Sequence, residues 1–121
     1  MINTNKMPAA KGHYSPVVEH GGILYISGQI PVDPENGSIP DTIEEQTRLV
    51  LARIGMLLKE SGSSFSKVLQ VRIYVTDISL WDEVNRVYAE IFQDHKPARC
   101  VVPVGSLHYG CLLEVEAIAF V

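Results

Sequence analysis

The sequence predicts an α/β protein: an α+β two-layer sandwich in which two helices cover one face of a mixed sheet. Two observations carry this. Short runs alternating apolar and polar residues are separated by two longer segments whose apolar residues recur at helical spacing. The helical segments also fall between strands, the order that lays helices on a sheet face. A length of 121 residues suits one domain, taken as 1–121. With 46% hydrophobic and 20% charged residues, the chain can build a core without disulfide staples.

The elements follow in order. Val17, Val18 and Glu19 form a strand that turns at Gly21-Gly22 into a β-rich run over 23–27. Residues 28–40 are punctuated by Pro31, Pro34, Asn36-Gly37 and Pro40 and read as loop. A helix is predicted over about 42–61, with Asp41 as N-cap, Glu44 completing a capping box, and Gly62 as terminator. Its apolar stripe is Ile43, Val50, Ile54, Leu57 and Leu58. Residues 67–76 alternate, with Leu69, Val71, Ile73 and Val75 on one face and Gln70, Arg72 and Tyr74 on the other. Asp77 opens a second helix carrying the stripe Trp81, Val84, Val87, Tyr88, Ile91 and Phe92, and Pro97 closes the segment. A strand over 99–104, a loop over 105–110 and a strand over 111–121 complete the order β β α β α β β. Two helices leave one sheet face open and partly apolar, which predicts a homo-oligomer.

Ten Lys+Arg against fourteen Asp+Glu give a net charge of −4. Nucleic acid and anionic membranes are gripped by basic patches, so neither is expected as a partner. No apolar run has the length of a membrane span, and the first residues lack the apolar core of a signal peptide. Two cysteines, Cys100 and Cys111, fit a reducing compartment and read as small core residues; the expected location is cytoplasmic. The histidines, His13, His20, His95 and His108, pair with no Cys or His at ligand spacing, so no metal site is predicted.

Few residues stand out for chemistry. Arg99 begins an apolar strand; it is either a surface ion-pair partner or a guanidinium fork for a carboxylate or phosphate. Glu114 and Glu116 share one face of the last strand, opposite Leu113, Val115, Ala117 and Ala119. They form either a solvated polar face or a pair whose environment tunes one carboxylate to hold or deprotonate water. Ser27 lies at a strand end, Tyr14 is a loop aromatic, and Asn85 interrupts the second helix near its stripe, where a polar group needs a partner. A hairpin turning at 107–110 would pair Glu114 with about residue 103 and leave Arg99 about 13 Å away. At that separation the two serve one small ligand more easily from different subunits.

These residues lie in four ordered motifs. They are Pro8-Ala9-Ala10-Lys11-Gly12-His13-Tyr14-Ser15, Ser27-Gly28-Gln29-Ile30-Pro31, Val84-Asn85-Arg86-Val87-Tyr88, and Lys96-Pro97-Ala98-Arg99 followed by Leu113-Glu114-Val115-Glu116-Ala117-Ile118-Ala119. Together they resemble the RidA (YjgF) family, formerly named for L-PSP endoribonucleases, over nearly the whole chain. The resemblance implies a chorismate-mutase-like fold and a homotrimer with clefts between subunits. It implies hydrolysis of reactive 2-imino and enamine acids, such as 2-aminoacrylate, to 2-keto acids and ammonia, without a cofactor. Carried over by position, Arg99 would bind the substrate carboxylate and Glu114 would position the water. Tyr14, Ser27 and Asn85 would line the cleft, and the Val101 backbone carbonyl would face the substrate nitrogen. A trimer that senses 2-keto acids without turnover is the alternative; the ribonuclease reading sits badly with the acidic charge. His13, Val101, Pro103 and the loop 105–110 depart from the common family pattern, which bears on the substrate more than on the reaction. In that loop, His108 and Tyr109 read as decoration rather than ligand contacts.

Overall fold

The computed structural model describes residues 12–121, so Pro8 to Lys11 of the first motif lie outside it. Five strands, β1 (Val17–His20), β2 (Ile23–Gln29), β3 (Val68–Val75), β4 (Ala98–Pro103) and β5 (Leu113–Phe120), form one sheet in the order β1-β2-β5-β3-β4. The helices are α1 (Ile43–Glu60) and α2 (Trp81–Phe92). β3 and β4 run parallel, joined by α2 as a crossover must be; the other pairings are antiparallel. The predicted two-layer α+β sandwich is therefore the observed one.

Alternation fixes which side chains meet the helices. Leu24 and Ile26 of β2, Val71, Ile73 and Val75 of β3, and Leu113, Val115, Ala117 and Ala119 of β5 are buried. They form one core with Val50, Leu51, Ile54, Leu57 and Leu58 of α1 and Val84, Tyr88 and Phe92 of α2. The opposite face is open and exposes Val18, Tyr25, Val102 and Phe120. No helix among the described residues is long and apolar enough to cross a membrane.

Several expectations need correction. Thr42, not Asp41, is the N-cap of α1: its hydroxyl accepts the Glu45 N–H at 3.1 Å. Leu69 does not join the inward face of β3. The register slips between Val68 and Gln70, so Val68 is buried and Leu69 is exposed. Cys100 is exposed rather than in the core, because it alternates with the helix-facing Arg99 onto the open face. The largest correction concerns the last two strands. β4 and β5 are not a hairpin: β3 lies between them, and β5 fills the gap between β2 and β3. β4 is already committed to a parallel edge beside β3, so the chain passes over β3 to reach the open slot.

Candidate functional site

Arg99 and Glu114 occupy opposite sides of the sheet. Arg99 is level with Val71 and shares its helix-facing side; Glu114 is level with Tyr74 and shares the open face. They are three residues apart along the strands and two strands apart across them, about 14 Å on the diagonal at ordinary sheet spacings. The long separation expected within one chain holds, although the hairpin that suggested it does not.

Around Arg99, α2 supplies the setting. Its Nη1 donates to Asn85 Oδ1 at 2.8 Å. The guanidinium lies 4.7 Å from the Tyr88 ring centre and 5.6 Å from that of Trp81, placing the charge on aromatic faces. Asn85 therefore finds the partner its position demands, and Tyr88 and Trp81, read from sequence only as core stripe, hold the cation. No carboxylate pairs with Arg99 among the described residues. A hollow of about 470 Å³ opens beside it, lined by Asn85, Tyr88, Phe92, His95 and Lys96 among others.

Val101 sits on the free edge of β4. The Val104 N–H donates to the Val75 carbonyl at 2.7 Å. By alternation, the backbone groups of Val102 and Cys100 turn toward β3, and those of Val101 turn outward. Pro103 shares that outward side, where a missing N–H costs no ladder bond.

Glu114 lies over Gly28 in a second hollow of about 360 Å³, on the open face, with Tyr74, Ser106, Leu107 and Glu116. A β-carbon on Gly28 would overlap Glu114 Oε2 and stand 3.1 Å from Cδ, so the carboxylate needs a glycine beneath it. Burial, then the neighbouring charge of Glu116, push the Glu114 carboxyl above its ordinary pKa, against a smaller pull from His108. Glu116 is otherwise engaged: it accepts the Tyr74 hydroxyl and stands 4.0 Å from Arg72 Nη1. The two acids thus part company. Glu116 is held by its strand neighbours, while Glu114 has no hydrogen-bond donor among the described residues.

Ser27 precedes Gly28, over which Glu114 lies, and it ties down the loop that carries Tyr14. The Ser27 hydroxyl donates to the Ser15 carbonyl at 2.6 Å and its N–H to the Pro16 carbonyl at 2.9 Å, fastening the loop that carries Tyr14 to β2. Tyr14 is 54% exposed. Below this loop lies a support that sequence reasoning missed. Arg53 of α1 donates to Gln29 Oε1 from Nε at 3.3 Å and Nη2 at 3.2 Å, and to the Val32 carbonyl from Nη1. Its position three residues after Val50 and four before Leu57, inside an apolar stripe, was the available signal.

The structure therefore gathers the sequence candidates into two groups. Arg99, Asn85 and Val101 sit at the α2–β4 edge; Glu114 sits over Gly28 at the β2–β5 end of the open face, with Ser27 next to Gly28 and the loop of Tyr14 fastened to Ser27.

Comparison with known proteins places the chain in one family. The family model described as Endoribonuclease L-PSP matches residues 4–121. A 2-iminobutanoate/2-iminopropanoate deaminase of Rattus norvegicus is 38% identical over 120 residues, covering 98% of this chain and 88% of that protein. A RutC family protein of Pyrococcus abyssi is 40% identical over 121 residues, covering 99% and 95%. Among solved structures, YyfA of the conserved Rid protein family from Yersinia pestis superposes with a TM-score of 0.94 at 41% identity, covering 99% and 97%. E. coli TdcF with bound serine gives 0.94 at 34% identity, covering 100% and 98%. The chain belongs to the Rid family, also known as RidA/YjgF or L-PSP.

Proposed function

We propose that this protein hydrolyses reactive 2-imino and enamine acids to 2-keto acids and ammonia. It does so as a homotrimer, in clefts where the Arg99 group of one subunit meets the Glu114 group of the next. The observation that carries the reading is Arg99: a guanidinium held by Asn85 and two aromatic faces, with no carboxylate partner among the described residues, is a receptor for one. The deaminase among the relatives, and the serine bound in TdcF, which bears the same α-carboxylate, support it. The exposed apolar residues of the open face supply the surface on which subunits pack.

The chemistry follows from the two groups. An enamine first takes a proton at its terminal carbon to become the iminium. Arg99 holds the carboxylate in two-point fashion, and the outward Val101 carbonyl accepts an N–H of the iminium. Water attacks the iminium carbon while Glu114 takes its proton, giving a carbinolamine. Glu114 returns that proton to nitrogen, the C–N bond breaks to release ammonia, and the hydroxyl closes to the ketone as its proton passes to the ammonia. Iminium plus water thus becomes 2-keto acid plus ammonium, with nothing oxidised or reduced. A carboxylate pushed up in pKa is a stronger base for this step than an ordinary one.

The test is ammonia and keto-acid release from an imino acid generated in solution by an amino-acid oxidase, with sedimentation to count subunits. Acceleration by wild-type trimer, lost in Arg99→Ala, supports the proposal. Folded wild-type protein that binds 2-oxobutanoate but accelerates nothing overturns it in favour of a sensing module.

A further inference from the structure

The hollow beside Arg99 is larger than a carboxylate requires, and its lining is uneven in charge. Arg99 and Lys96 both border it, and among the described residues neither has an ion-pair partner and no acidic side chain lines it. Lys96 and Arg99 are three residues apart, so their Cα atoms are separated by at most about 10 Å. Two long cationic side chains can then serve one small ligand from its two ends. His95 is not a third charge to count on, since its Nε2 is already engaged with the Val68 carbonyl at 2.7 Å.

Tyr88 gives a second and independent sign. It is 6% exposed and lines the same hollow, yet its hydroxyl is buried without a hydrogen-bond partner among the described residues. An orphaned buried hydroxyl carries an uncompensated desolvation penalty, and phenylalanine would fill the same space without it. The hydroxyl also stays a donor at any physiological pH, because burial pushes it up to about 12. Solvent does not reach it as it stands, so an acceptor of a bound molecule satisfies it once the ring turns toward the hollow.

We infer that the hollow between Arg99 and Lys96 receives an acidic side chain, and that the preferred substrates are imines of dicarboxylic amino acids. Arg99 takes the α-carboxylate, Lys96 the distal carboxylate, and Tyr88 donates to the ligand between them. The inference rests on the carboxylate grip of Arg99 proposed above and adds the class of side chain.

Calorimetric titration with two stable keto-acid products, 2-oxoglutarate and 2-oxobutanoate, tests it. Wild-type protein should bind the diacid about tenfold more tightly. Lys96→Ala should erase that preference by weakening the diacid about tenfold. Tyr88→Phe should raise the melting temperature of the free protein while weakening the diacid several-fold, a pairing that a purely structural tyrosine does not produce. Equal affinities in the wild type, or a preference that survives Lys96→Ala, overturn the inference and leave the Arg99 grip standing. Binding of neither acid overturns the grip as well.

Discussion

Adding one methyl group at Gly28 moves the Glu114 carboxylate and little else. The backbone at Gly28 lies outside the left-handed region, so alanine meets no backbone strain there. The new β-carbon overlaps Glu114 Oε2 and comes within 3.1 Å of Cδ and 3.4 Å of Cγ. Ordinary contact then requires the carboxylate to retreat by about 1 Å, which a terminal torsion can supply. Stability should change by less than about 1 kcal/mol, since the lost freedom of the unfolded chain offsets the crowding. Turnover should not be spared, because a 1 Å misplacement of a catalytic group can cost about 100-fold. The assay is keto-acid release from the oxidase-generated imine, run beside thermal melting and 2-oxobutanoate titration. The expected result is a Gly28→Ala protein that melts and binds like wild type but turns over about 100-fold more slowly. If it keeps more than half of wild-type turnover, Glu114 does not act from where the structure puts it.

The remaining expectations are simpler. Arg99→Ala should lower kcat/KM by at least about 100-fold, the worth of two charge-assisted hydrogen bonds, and abolish 2-oxobutanoate binding in the same titration. Glu114→Gln should leave binding intact and lower kcat by about 100-fold or more, read by single-turnover kinetics. Because Glu114 must be ionised to act as a base, the rate should rise with pH through a midpoint above the ordinary value of 4.5, and Glu116→Gln should move that limb to lower pH. The sign for stability is opposite. A raised carboxyl pKa favours the fold in acid and loses that contribution as pH rises through it, so Glu114→Gln should melt higher than wild type at neutral pH and equally in acid. Gln93 ends α2 at φ 56° and ψ −121°, with the His95 N–H bonded to the Phe92 carbonyl at 3.1 Å across the turn. That turn favours glycine, so Gln93→Gly should stabilise by about 1 kcal/mol, several degrees in the melting curve.

Local patterns in the sequence translated well where one physical cause dominated. The stripe from Trp81 to Phe92 has a single apolar side, and the alternation from Leu113 to Ala119 has a single inward face, so helix and strand followed directly. The errors arose where the outcome depended on something distant. Leu69 fits the alternation as well as Val71 does, and only pairing with β5 reveals the slipped register. Asp41 and Thr42 are both good caps, and which one is used depends on where the preceding loop delivers the chain. Adjacency in sequence suggested β4 against β5, whereas the open slot between β2 and β3 decided the pairing. For the candidate site, Arg99 and Glu114 stood out because each is polar in an apolar run, and Asn85 because it falls near the apolar stripe of α2. The roles of Gly28 and Arg53 were hidden, since each is defined by a neighbour far along the chain.

The central place of β5 also bears on how the protein is made. β1 with β2, and β3 with β4, are two strand pairs that share no ladder until residues 113–120 enter between them. Until β5 enters, both pairs present unsatisfied edges of the kind that invite wrong partners. Closure is then a single event that joins the halves, buries Leu113, Val115, Ala117 and Ala119, and delivers Glu114 over Gly28. A nascent chain stalled before residue 113 should therefore be protease-sensitive throughout, and competence for catalysis should arrive together with the fold rather than after it.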